Sequence, residues 1–397
     1  MSDDLRQHWA LDPEIDFLNH GSFGACPRVV LALQQRLRDE LERDPVAFFM
    51  RSLEGRLDAA RVRLAEFVGA DPDGMAFVNN ATTGVNTVLK SIPLNAGDEL
   101  VVTDQEYNAC RNALDLVARN AGARVVVAQV PFPLTSSGQV VDAIVDRFSD
   151  RTRLLLVDHI SSPTGLVQPV AELAEACRQR GIELLVDGAH AVGQLELNLG
   201  VLRPTYYTSN CHKWLCTPKG AAFLYVDADH RDGIRPLVTS HGANADASRR
   251  PRFRLEFDWV GTDDPTPFLC VPEAIRCIGS LLDGGWPAVR DHNRALALEA
   301  RSLLCEALDV APPCPEEMVG SLAAVPLPPS DARAKTTPLQ SDPLAEELFA
   351  KHRIEVPVVR WPAPPRRFVR ISAQLYNRRD QYQRLAGALK EMHAADA

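Results

Sequence analysis

The 397-residue chain has no run of about 18 consecutive apolar residues, so no membrane-spanning helix is expected. Its first nine residues, Met1 to Trp9, are polar and charged and lack the apolar stretch of a secretion signal. Positive charge is in deficit: 43 Lys and Arg stand against 52 Asp and Glu, a formal net charge of −9. That balance leaves no basic stripe for nucleic acid, so neither a nucleic-acid nor a membrane partner is expected. The nine cysteines are odd in number, scattered, and form no Cys-x-x-Cys pair. They read as reduced thiols in a cytoplasm rather than a disulfide framework. Cys211, His212 and Cys216 have poor spacing for a tetrahedral site, and no second cluster completes one, so no metal is expected. No Gly-x-Gly-x-x-Gly follows an early strand, which argues against an NAD-type dehydrogenase.

What is present suits a full globular core, with 46% hydrophobic and 24% charged residues. From about residue 70 to 226, short apolar runs alternate with helical spacing, the pattern of an α/β fold with a mostly parallel sheet. Strands are expected at 100–103, 124–130, 154–159, 183–187, 206–209 and 222–226. Helices at 108–121 and 170–180 should stop at Gly122 and Gly181, because glycine accepts the left-handed turn past a helix end. Further helices are expected at 27–43, 54–68, 272–282 and 286–308. The proline-rich stretch 311–338 marks a change of sub-structure. After it, helices at 343–352 and 378–393 and a strand at 368–372 suit a smaller α+β unit. The expected division is an N-terminal segment 1–20, a large domain 21–270 and a small C-terminal domain 271–397.

Three segments carry candidate chemistry. Lys213, in Asn210-Cys-His-Lys-Trp-Leu215, leaves the end of an apolar strand, where open α/β sheets bind ligands. A partly desolvated lysine there can lose its proton and form an imine with an aldehyde, although a solvated loop lysine has the same composition. Asp187 ends the apolar strand of Leu184-Leu-Val-Asp-Gly-Ala-His190, and a carboxylate so placed requires a cation or a donor. A protonated pyridine nitrogen would serve, as would a turn or a metal ion. Val78-Asn-Asn-Ala-Thr-Thr-Gly-Val-Asn86 leads small and hydroxyl residues into a helix expected from Thr83, an N-terminus suited to phosphate or to a plain cap.

In order and spacing these segments resemble the fold type I pyridoxal-5'-phosphate (PLP) enzymes, and in detail the class V aminotransferase superfamily. Within it the isopenicillin N epimerase branch is most similar. The resemblance rests on Phe17-Leu-Asn-His-Gly-Ser-Phe-Gly24, Asp104-Gln-Glu-Tyr-Asn108, His159-Ile-Ser-Ser-Pro-Thr-Gly165, Asp187-Gly-Ala-His190 and His212-Lys-Trp-Leu215. Gly261-Thr-Asp-Asp-Pro265 and Val369-Arg-Ile-Ser372 extend it over nearly the whole chain.

The resemblance implies a PLP cofactor, with Lys213 as the Schiff-base lysine and the acid/base at Cα. Asp187 would hold the pyridine nitrogen protonated. Tyr107 falls where the family stacks a ring on the cofactor, and His190 where a side chain meets its 3-oxygen. Thr82, Thr83 and His212 match the phosphate site, with Asn210 as a further donor. Thr262 matches a residue that reaches the neighbouring subunit's phosphate, which implies a homodimer with shared active sites. Arg370 matches the arginine that grips the α-carboxylate of a small amino-acid substrate. Asn19 and His20 lie in the turn expected over the same site. Ser162 stands where the desulfurase branch carries asparagine.

Four reactions fit such a scaffold: epimerisation, Cβ–S cleavage, sulfur transfer and transamination. Epimerisation requires a second acid/base, for which water, His20 and Tyr107 stand open. Sulfur transfer requires a mobile thiol, and Cys314 is the one considered, without the Gly/Ser-rich surroundings of a swinging loop. The expectation is an epimerase-like enzyme, with a Cβ–S lyase as the alternative and a PLP-binding regulator as the non-enzyme reading. Arg249, Arg250, Arg252 and Arg254 suggest either a second anionic group on the substrate or a solvated basic segment.

Overall fold

The computed structural model describes residues 5–330 and 342–396, so residues 331–338 of the proline-rich stretch and the first four residues lie outside the described residues. Seven strands form the main sheet: β1 (Met75–Val78), β2 (Glu99–Thr103), β3 (Arg124–Ala128), β4 (Thr152–Asp158), β5 (Glu183–Asp187), β6 (Tyr206–Ser209) and β7 (Ala222–Val226). Their order across the sheet is β1-β7-β6-β5-β4-β2-β3. Strands β2 to β6 pair in parallel, and β7 runs antiparallel to both β6 and β1. The mostly parallel sheet expected from the alternating runs is therefore what forms.

Both faces are covered, which explains strands that read as unbroken apolar runs. Val101, Leu155, Val157, Leu184 and Val186 pack into one core cluster, whereas Leu100, Val102, Leu154, Leu156 and Leu185 pack into another. Successive residues of a strand point to opposite faces, so one run feeds both cores. Helices α1 (Ala81–Ser91) and α2 (Asn108–Ala121) follow β1 and β2. The left-handed turn at Gly122, with φ of +68°, stops α2 as its sequence predicts.

A second, three-stranded antiparallel sheet has β8 (Leu322–Leu327), β9 (Val358–Val359) and β10 (Arg367–Ser372) in the order β9-β10-β8. Strand β8 lies within the proline-rich stretch, where no strand is expected. Its Pro326 sits opposite Phe368 on an edge strand, a place that tolerates a missing N–H. Asp16–Phe17 pairs in parallel with Ile354–Glu355. The Ser372 amide donates to Leu18 O at 3.0 Å, and the Gly21 amide donates to Ser372 Oγ at 3.0 Å. These bonds fix the turn of Asn19 to Gly24 against β10. Among the described residues no helix is long and apolar enough to cross a membrane.

Candidate active site

The site forms at the carboxyl ends of β4, β5 and β6, where an open α/β sheet presents its loops. Strand β6 is followed by the loop that carries Lys213, which is anchored on both sides. The His212 amide donates to Ala221 O at 3.1 Å, and the Asn210 side-chain oxygen accepts from the Ala81 amide at 2.8 Å. Gly24 packs on the same backbone with φ of +71°, and a Cβ there would come within 2.9 Å of Lys213 Cα. Only glycine satisfies both conditions.

Lys213 Nζ lies 3.1 Å from His190 Nε2, and Trp214 Nε1 donates to His190 Nδ1 at 3.4 Å. Burial, and then the positive charge of Arg370, push the lysine down to about 8. The fraction of free amine at neutral pH is thus far larger than for an exposed lysine. Burial also holds His190 well below the ordinary imidazole range, so it is neutral.

Asp187, only 1% exposed, accepts from the Ala189 amide at 2.9 Å and from Cys110 Sγ at 3.1 Å. Neither donor is a cation, so the carboxylate can still take a positively charged ring nitrogen. Tyr107, just before α2, is 46% exposed. Burial and then the Cys110 and Asp187 side chains raise its phenol, while the Arg370 guanidinium lowers it.

Arg370 comes from the middle of β10 and is buried, and its Nε has no hydrogen-bond partner. Its NH1 donates to Ser162 O and, at 3.3 Å, to Ser162 Oγ, while NH2 donates to Ser22 Oγ at 3.2 Å. Ser22 in turn donates to Asn19 Oδ1, and Asn19 Nδ2 donates to Glu355 Oε1 at 3.3 Å. Asn19 thus supports the arginine through Ser22. Ser162, whose part was open in the sequence, is a direct brace of Arg370. Burial lowers the guanidinium to about 10, which leaves it charged at neutral pH.

His20 sits on the backbone side of the lysine. Its Nδ1 meets the Tyr376 hydroxyl at 2.8 Å and its Nε2 meets Lys213 O at 3.0 Å, with the ring 4.8 Å from that of Trp214. It is fully buried, and burial holds it down at about 3. With both ring nitrogens engaged, His20 has none to offer a substrate Cα.

At the other end of the site, α1 begins two residues earlier than the spacing suggests. Asn80 is its N-cap and accepts from the Thr83 amide at 2.8 Å and from Thr83 Oγ1 at 3.1 Å. Thr82 is half-buried in the first turn. His212 Nδ1 donates to Ala221 O at 2.9 Å, which leaves Nε2 as its free ring position. Exposed Thr262 and half-buried Thr83 line one cavity of about 370 Å³.

Several sequence candidates have other partners. Arg250 pairs with Asp58 and Asp258, Arg254 with Asp58 and Asp73, and Arg252 donates to Gly242 O. These three arginines are bound by the chain's own groups. Cys314 is buried beside Arg301, and all nine cysteines are buried. The residues that sequence reasoning left without a role are Ser22, Asn80, Glu106, Cys110 and Tyr376. Each except Tyr376 and Cys110 lay inside a quoted motif, and Cys110 stands one helical turn beyond Glu106.

The family model for class-V aminotransferases matches residues 17–385. The chain belongs to that family and is a PLP-dependent enzyme of fold type I. It is 37% identical to an isopenicillin N epimerase of Amycolatopsis lactamdurans, over 98% of this chain and 97% of that one. It is 30% identical to a probable L-cysteine desulfhydrase of Arabidopsis thaliana, over 95% of this chain and 83% of that one. Among solved structures, the cystine C-S lyase C-DES in complex with cysteine persulfide superposes with a TM-score of 0.77. That match is 20% identical and covers 96% of this chain and 98% of the other, so it speaks for the fold.

Proposed function

We propose that the enzyme acts at Cα of an amino acid, or of a peptide that carries one, as an epimerase. The observation that carries the reading is the Lys213 amine, lowered to about 8 and held by neutral His190 beside a buried carboxylate and a buried guanidinium. The residues fit PLP. Neither hydrogen-bond donor to Asp187 is a cation, α1 opens with a capped N-terminus and two threonines, and Tyr107 is exposed just before α2. Lys213 would bond the cofactor's aldehyde, Asp187 its ring nitrogen, and Thr82, Thr83, His212 and Asn210 its phosphate end. When bound, the cofactor withdraws electrons from Cα and makes its proton labile.

The protein's own part is then positional. Arg370, braced by Ser22 and Ser162, grips the α-carboxylate and fixes which bond at Cα faces Lys213 Nζ. Nζ takes the proton from one face. Return from the other face inverts the centre, and with His20 engaged that proton comes from Tyr107 or water. The 37% identity to an isopenicillin N epimerase over nearly the full length supports this outcome.

Cβ–S cleavage is the second reading. The desulfhydrase relatives favour it, and it requires no second acid/base at Cα beyond Lys213. Persulfide transfer through an exposed thiol does not fit, because every cysteine is buried. A homodimer in which Thr262 serves the neighbouring subunit, in the cytoplasm, completes the proposal. The cavity beside Thr262 is walled by Phe49, Leu53 and Trp259, apolar surface suited to a second copy.

The test is incubation with L- and D-amino acids and cysteine conjugates in deuterated water. Appearance of the opposite enantiomer with deuterium at Cα supports epimerisation. Release of pyruvate, ammonia and a thiol makes the enzyme a lyase.

A further inference from the structure

Beside Asp187 the protein buries two more carboxyl groups that the reading above does not use. Asp158 and Asp187 end neighbouring strands and stand directly opposite one another in the parallel register. Their side chains therefore leave the sheet on the same face. Glu106 comes from the turn before α2 and Cys110 from the first turn of that helix. The ligand atoms of Glu106, Cys110 and Asp187 all lie within 4.8 Å of one another.

The hydrogen bonding of the three carboxyls is unequal. Both oxygens of Asp187 have a donor. Neither oxygen of Glu106 has one, and Asp158 Oδ2 has none, although Glu106 is 9% exposed and Asp158 3%. A buried carboxylate without donors is costly, and a neighbouring negative charge adds to the cost. The groups that face Glu106 are the Asp187 and Asp158 carboxyls, the Cys110 thiol and the Tyr107 amide, with Arg111 of α2 as a cation that acts on it. Arg111 is already bonded to Asp115 at 3.0 Å. Lys213 offers its charge to Asp187 and Asp158. One negative charge is therefore compensated in this group, and the place for it is Asp187, the carboxyl with a donor on each oxygen.

We propose that Glu106 is a positioning residue for the cofactor's ring nitrogen: as a neutral carboxylic acid it donates its proton towards the Asp158–Asp187 pair and keeps the single charge on Asp187. The inference rests on the PLP reading of the site, and it holds for either reaction. A carboxyl oxygen of Glu106 lies within 4.8 Å of one of Asp187. The electrostatics agree in direction, since burial and then the Asp187 charge push Glu106 well above the carboxylate range, and burial and Glu106 do the same to Asp158. Cys110 and the Ala189 amide already donate to the Asp187 carboxylate. Glutamate at 106 thus helps to hold the ring nitrogen in its electron-withdrawing, protonated form without adding a second negative charge.

The experiment uses the holoenzyme reconstituted with PLP labelled with nitrogen-15 in the ring, whose chemical shift reports protonation of that nitrogen. Wild type, Glu106→Gln, Glu106→Leu and Glu106→Met are titrated. Glutamine keeps a neutral donor, so its nitrogen should stay protonated over the same pH range as wild type. Leucine and methionine remove the donor, and the nitrogen should deprotonate at least one pH unit lower. Methionine, a flexible chain of similar length, decides the matter if the leucine variant does not fold. A glutamine titration shifted as far as the apolar ones would overturn the proposal by showing an ionised Glu106. Apolar variants that titrate like wild type would overturn it by showing no role. Failure of the PLP reading is a separate result: wild type would then show no lysine-bound cofactor band, whatever stands at 106.

Discussion

Lys213 Nζ and His190 Nε2 lie 3.1 Å apart, with the imidazole neutral and the amine lowered to about 8. The pair holds an amine that is ready to react and aims it from the end of β6 across the mouth of β5. Trp214 fixes the other nitrogen of the ring. With Nδ1 accepting from Trp214 and the ring neutral, Nε2 carries the proton and donates to the free amine of Lys213.

Capture of PLP by the cofactor-free protein should follow the free-amine fraction of Lys213. The rate, read as growth of the visible band, should rise with pH and reach half its maximum near 8, since the protonated amine below that pH is not a nucleophile. His190→Ala should move the midpoint and lower kcat by about 10- to 100-fold, an effect of the size expected for a lost positioning contact.

Arg370→Leu should reduce kcat/KM for an amino acid by about 100-fold, or about 2.7 kcal/mol, because a buried carboxylate would lose its partner. Ser162→Ala removes only the hydroxyl contact at 3.3 Å and leaves the carbonyl contact in place. It should raise KM by a few-fold with kcat little changed. Steady-state kinetics on the same substrate check both.

Loss of the cap on α1 has two readouts. Asn80→Ala should cost about 1 kcal/mol of stability, the usual price of an N-cap. It should also weaken PLP binding, because the first turn would no longer present its amides and Thr83 in a fixed frame. Thermal denaturation and cofactor titration separate the two.

His20 gives a pH signature. Its folded-state value of about 3 lies below its unfolded value of 6.5, so the unfolded chain binds the proton first. The stability that His20 contributes is present above pH 6.5 and is lost as pH falls towards 3. The gap between wild type and His20→Asn should therefore narrow by about 2 kcal/mol from pH 6.5 to 5, at about 1.4 kcal/mol per unit. Denaturant unfolding at the two pH values measures it.

The layout of the sheet was legible because both of its faces are covered. The apolar runs of β5, β6 and β7 and the helices stopped by Gly122 and Gly181 stand out in a single sequence. Strand β1 is hidden because four apolar residues with no alternation look alike in a helix and a strand. Strand β8 is hidden by Pro326, which only its edge position permits.

The site divides in the same way. Lys213, Asp187 and Arg370 could be placed by motif. The bonds that hold them, from Ser22 and Ser162 to Arg370 and from Tyr376 through His20 to the lysine backbone, join residues far apart in the chain. No local spacing announces such bonds, and the partners of Arg250 and Arg254 escaped for the same reason.

The central claim is that Lys213 Nζ moves the Cα proton. The direct measurement is Cα–H exchange of a bound amino acid in deuterated water, followed by proton NMR, for wild type and for Lys213→Ala, each supplied with PLP. Loss of the Cα signal with wild type and its persistence with Lys213→Ala is the result predicted. Exchange at the wild-type rate in Lys213→Ala would contradict the account.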